Sequence, residues 1–157
     1  MPLVPTVLQN DLLERWLVED SSRFPASNVE SGQRFASCVA SWFTLGMALG
    51  FPCTTALARE SQLAGEAANA LAAGLAPAAG VQLATAVANY ITGQSFGTGV
   101  AAAPVATPAV QLAFGAVFAD LQASREDRAE RIALGCLTLA VSTTVAFSAP
   151  PGAGPIL

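Results

Sequence analysis

The groups able to do chemistry are eleven carboxylates, seven arginines and three cysteines; lysine and histidine are absent. Two carboxylate pairs stand at helical spacing, Asp11 with Glu14 and Asp127 with Glu130. Such a pair does general acid–base work only when an apolar pocket holds one member protonated. Both pairs fall on faces that read as solvated, so neither is expected to act. Without histidine, the commonest base and the commonest metal ligand are missing. Serine–histidine and cysteine–histidine catalysis are therefore excluded. Cys38, Cys53 and Cys136 lie far apart with no CxxC pair, which suits buried thiols better than a zinc site. Glycines crowd the segment from Gly93 to Pro104, but no GxxxxGK[ST] spacing follows to cradle a phosphate. That segment is expected to be a flexible loop.

Charge removes a further class. The net charge is -4, and seven scattered arginines make no basic face, so nucleic acid is not an expected partner. The expectation is no catalytic residue, no cofactor, no metal, no small-molecule substrate and no enzyme.

The elements that would carry these residues read as helices. Leu8, Leu12 and Trp16 mark one face of a first helix, capped by Thr6 and running to about Glu19. Asn28 caps a second, through Phe35, Val39, Trp42, Phe43 and Met47 to about Leu49, ended by Gly50 and Pro52. A third starts at Thr54 or Thr55 and runs to about Ala73. Pro77 opens a fourth, to Ile91. Thr107-Pro108 opens a fifth and Ser124-Arg-Glu-Asp127 a sixth. Val141, Thr143, Thr144 and Val145 favour extended chain, and SAPPGAGPIL cannot be helical. The fold class is mainly α, a compact bundle of about five to six helices with an extended, partly β-like C-terminal tail. Residues 1–148 read as one helical domain and 149–157 as a Pro/Gly-rich arm. No internal repeat of fixed period is visible. The opening residues lack a basic n-region and meet Asp11 early, so no signal peptide is expected.

One stretch dominates the rest. Ala67 to Ala119 is fifty-three residues without a charge, in a chain with 11% charged residues and mean hydropathy +0.51. Helices facing water normally carry charge outward, so another subunit or lipid is expected to cover part of this surface. The lipid alternative is a small integral membrane protein, holin-like or anchoring. Its candidate spans are interrupted by Pro52, Pro104 and Pro108 or are too short. The assembly alternative uses the same faces for packing on neighbours.

The opening MPLVPTVLQNDLL, the alanine-rich middle, PAVQLAFGAVFADLQASREDRAERIA and the close TTVAFSAPPGAGPIL resemble a group of small alanine-rich proteins. These are encoded among the tail genes of phages and phage-tail-like contractile injection systems. The resemblance implies a structural oligomer subunit in a virion or a cytoplasmically assembled particle. Its implied partners are copies of itself and neighbouring tail or particle proteins. The residues expected at the subunit interface are those of the tail: Val145, Phe147, Pro150, Pro151, Ile156 and Leu157.

Overall fold

Local chemistry starts most of the helices. In the computed structural model, which describes residues 2–157, α1 spans Pro5–Arg15, α2 Asn28–Phe43 and α3 Glu60–Leu71. Further on, α4 spans Ala76–Ile91, α5 Thr107–Ala119 and α6 Arg125–Val141. Prolines occupy the first turns of α1, α4 and α5, where the missing N–H costs nothing. Ser124 Oγ accepts from the Asp127 N–H at 3.1 Å, as its sequence predicts. The cap of α2 is Ser27, not Asn28, and it accepts from the Glu30 N–H at 3.1 Å. Thr107 lies inside α5, and its hydroxyl donates to the Pro104 carbonyl at 2.7 Å.

Six strands join the helices: β1 Met47–Ala48, β2 Phe51–Pro52, β3 Ser95–Phe96, β4 Gly99–Ala101, β5 Thr144–Ser148 and β6 Pro151–Pro155. The molecule is mainly α with a β-containing tail, but two hairpins also interrupt the middle of the chain. The second helix does not reach Leu49. It stops at Phe43, and the chain turns back through Leu49 and Gly50, both at positive φ. The third helix starts later than expected, after a turn over 56–59. The glycine-rich segment after Gly93 is no loop; it forms the β3–β4 hairpin.

The elements repeat, although the sequence shows no repeat. Each of three units contains two helices followed by a hairpin: α1–α2–β1–β2, α3–α4–β3–β4 and α5–α6–β5–β6. The longer helices start at residues 28, 76 and 125, and the shorter ones at 5, 60 and 107. The units close in a ring, with α2 packed on α3, α4 on α5 and α6 on α1. At the first crossing Gly32 lies against α3, where a Cβ would come within 2.6 Å of the Ala64 carbonyl oxygen. Gly80, at the matching position of α4, meets the backbone of Phe114 even more closely. Ala129 fills the matching position on α6 and is buried.

The hairpins close a second ring. All pairings within the β3-β4-β5-β6 sheet and between β1 and β2 are antiparallel. Cys53 bridges to Phe96, joining the first hairpin to the second. Leu157 and Met47 exchange backbone hydrogen bonds at 2.8 and 3.0 Å, joining the third hairpin to the first. A closed ring leaves little strand edge open to another chain. Ala48, Phe96, Val145 and Ile156 point inward and are buried. The core continues from them through Phe43, whose ring lies 5.6 Å from Tyr90 and 6.3 Å from Phe96.

Candidate interaction surface on the third unit

The ring of units provides an internal control, because matching positions share a backbone setting and differ in side chain. Inside, matching residues are alike in bulk: Phe35, Leu83 and Ile132 are all buried, as are Ala36, Ala84 and Ala133. Trp42, Tyr90 and Leu139 also match and are buried. The Trp42 indole N–H donates to the Val4 carbonyl at 3.0 Å, and the Tyr90 hydroxyl to the Ala56 carbonyl at 2.8 Å. Each carbonyl lies in the segment leading into that unit's first helix.

Outside, the third unit differs. The outward positions of α1 include Asn10, Asp11 and Glu14, and those of α2 include Ser37, Ser41 and Thr44. At the matching places the second unit has Gly65, Glu66 and Asn69 on α3, and Thr85, Asn89 and Thr92 on α4. On the third unit these places hold Leu112, Ala113 and Ala116 of α5, and Leu134, Thr138 and Val141 of α6. Leu112 is 76% exposed and Leu134 47%. Val105 and Leu121, at the two ends of α5, are more exposed still. Five of the large apolar side chains open to water therefore belong to one helix pair and its ends.

The grooves between paired helices differ in the same way. In the first unit Arg15 reaches across to donate to Ser37 Oγ. In the second, Asn89 Nδ2 donates to Glu66 Oε2 at 2.9 Å. Among the described residues no side-chain hydrogen bond links α5 to α6. Their groove, about 400 Å³, is floored by Ala109, Val110, Ala113, Val117, Leu134 and Gly135. Asp127, Glu130 and Arg131 stand at one end, where Arg131 pairs with Asp120 at 3.5 Å and Asp127 at 3.3 Å.

The tail residues expected to meet a neighbour divide into two sets. Val145, Phe147 and Ile156 are buried within the chain's own fold. Ile156 packs beside Gly46 and Leu3, and residues 151–155 pair with β5 along their length. The stretch 149–157 is thus no free arm, because β5 offers its backbone a nearer partner than any neighbour. Pro150, Pro151 and Leu157 remain exposed. Sequence reasoning marks Ala67–Ala119, which includes α5, as a surface to be covered, but it does not single out α5–α6 within it and places the interface residues in the tail. The available signal was TPAVQLAFGAVFA, a helix apolar around its whole circumference rather than along one stripe. Burial explains the part of the charge-free stretch in α4, nine of whose residues lie in the interior.

The groups with chemical potential have structural surroundings. Asp127 is ion-paired at the surface, and Glu14 and Glu130 are exposed. All three thiols are free and buried. Burial pushes Cys38 and Cys136 up to about 12 and raises Cys53, so none is a ready thiolate. The buried polar side chains among the described residues are Gln94 and Thr143. Gln94 donates to the Tyr90 carbonyl at 3.0 Å and accepts from Thr55 and Cys53, and Thr143 donates to the Leu139 carbonyl at 2.8 Å. Among the described residues no group of three or more Asp, Glu or Cys is placed to hold a metal ion. In comparisons with known proteins, no family model, curated protein or solved structure matches the chain.

Proposed function

We propose that this protein is a non-enzymatic structural subunit of a phage tail or phage-tail-like contractile injection particle, and that it acts by packing on other subunits. One observation carries the reading. The outward face of α5 and of the second half of α6 is largely apolar, with Leu112, Ala113, Ala116, Leu134 and Val141, where the matching positions of the other two units are mostly polar. Apolar patches of this kind on a folded chain mark interaction sites. The resemblance of the chain's layout to tail-encoded proteins supplies the setting. The carboxylate pairs at the surface and the satisfied side chains of Gln94 and Thr143 inside favour a packing role over chemistry.

The spanning alternative has no element to rest on, since no helix among the described residues is long and apolar enough to cross a membrane. The test is composition and assembly of the particle. Particles purified from the producing strain should contain the chain at a fixed copy number, and deleting its gene should halt assembly at a defined stage. Complete particles that lack the chain and form normally without it would overturn the reading.

A further inference from the structure

We propose that the α5–α6 face is a two-fold interface at which a second copy of this chain packs, α5 against α5. The inference names the partner of the surface on which the particle-subunit reading rests. Three observations select a second copy as the occupant. First, ridge and groove lie on one surface. Leu112 projects from α5, while the groove floored by Ala109, Ala113 and Leu134 runs beside it. A two-fold contact needs a surface that complements itself, and here the Leu112 of each copy can seat in the groove of the other. Second, the outward residues of α5 besides Leu112 are small, so two helices can approach at the short end of the usual 8–10 Å. Third, charge is confined to one end of the groove, at Asp127, Glu130 and Arg131. A two-fold axis through the middle of α5 places one such cluster at each end of the contact. The result is an apolar centre with a polar rim, the usual anatomy of an interface. A partner recognised by charge would find groups to pair with at that end alone.

The footprint is modest. Two helices of roughly 20 Å by 20 Å in plan bury about 800 Å² over both copies, below the range of stable interfaces and in that of weak encounters. The dimer should therefore dissociate on dilution.

The test uses the full chain. Light scattering over a dilution series should give a dimer mass at high concentration, and Leu112→Glu should return it to monomer. Leu112 is exposed, so an unchanged melting curve and circular dichroism should confirm that this variant folds. Ala113→Cys and Ala116→Cys, made singly, add a second readout. A residue near a two-fold axis meets its own copy, and all three native thiols are buried. At least one variant should give a covalent dimer under mild oxidation, and Leu112→Glu in the same chain should abolish it.

A dimer insensitive to Leu112→Glu, with neither cysteine cross-linking, would overturn the proposal by placing the contact elsewhere. A monomer at every concentration would overturn it as well. In that case particle incorporation separates the two readings. Loss of incorporation in Leu112→Glu keeps the subunit reading and gives the face to a different particle protein. If the wild-type chain is absent from particles altogether, the subunit reading falls. A dimer broken by Leu112→Glu together with a cysteine cross-link sustains the proposal, whereas a broken dimer with no cross-link would overturn the two-fold arrangement.

Discussion

The third unit and the first two are built alike inside and differ outside. At the helix crossings the matching residues are Gly32, Gly80 and Ala129; in the core they are Phe35, Leu83 and Ile132. Packing allows little choice at such positions, because interiors are filled to the density of crystals. On the outer faces packing does not decide, and water favours polar groups. The first two units follow that preference with Asn10, Glu14, Glu66 and Asn69, while the third places Leu112, Ala113 and Ala116 at the matching positions. Leu112 and Ala116 are exposed, so packing of the core does not set them.

The comparison breaks most readily at the crossings. Gly80→Ala would drive a methyl into the α5 backbone at Phe114 and Gly115. We expect a loss of about 2–4 kcal/mol, since neither helix can yield without moving its neighbours. Gly32→Ala should behave in the same way against Ala64 and Ala68. Ala129→Gly, in the third unit, should cost only about 1 kcal/mol, through helix propensity. Chemical denaturation of the three variants measures the ranking. Equal losses at all three positions would mean that the crossings are not equivalent in the way the ring of units requires.

A smaller effect separates the polar anchors. Tyr90→Phe removes the hydrogen bond to the buried Ala56 carbonyl and should cost about 1–2 kcal/mol. Leu139, its match in the third unit, has no such bond to lose, so Leu139→Met should cost less than about 1.5 kcal/mol. A Tyr90→Phe variant as stable as wild type would show that this anchor holds nothing in place.

Alkaline pH sharpens the comparison further. Burial raises the folded-state value of Cys136 from 9.0 to about 12, so its neutral form is favoured in the native state. The stability this contributes is fully present below pH 9 and is lost as pH rises from 9 toward 12. The slope is on the order of 1 kcal/mol per pH unit. Cys38 and Tyr90, also raised by burial, act in the same direction. The matches of Cys136 in the other units are Val39 and Val87. Cys136→Val should therefore fold at neutral pH and show a shallower decline in melting temperature above pH 9. An unchanged slope would mean that Cys136 ionises in the folded state as it does in the unfolded chain.

Much of this architecture is legible because it is encoded locally. Pro77, Thr107-Pro108 and Ser124 announce helices through properties of their own backbones and side chains. The β1–β2 and β3–β4 hairpins are not legible, because strands of two or three residues are too short to display an alternating pattern. Their stability comes from the closed ring, through partners such as Leu157 for Met47 and Phe96 for Cys53. The threefold repetition is hidden because matching residues share volume and burial rather than identity, as Trp42, Tyr90 and Leu139 illustrate. In the sequence the tail reads as an interface because Ile156 and Leu157 are apolar and follow prolines. Ile156 in fact fills the chain's own core. The all-round apolar character of TPAVQLAFGAVFA is visible in the sequence, but which of its residues face outward emerges only against α1 and α3, once the fold has aligned them.

The smallest expected effect on folding bears most directly on function. Ala113→Glu, Ala116→Asn and Leu134→Thr together give the third unit three of the six outer residues of the second, and Leu134 is the bulkiest of the three removed. All three positions lie at the surface of α5–α6, where substitutions away from caps and cores usually shift stability by no more than about 0.5 kcal/mol each. The triple variant should therefore melt within a few degrees of wild type, and its two substitutions on α5 would make the outer face of that helix resemble that of α3. If folding required the apolar face, the variant would lose several kcal/mol and the contrast between units would be a matter of packing. If assembly requires it, the variant folds normally and fails to associate, which separates what the fold demands of this surface from what a neighbouring subunit demands.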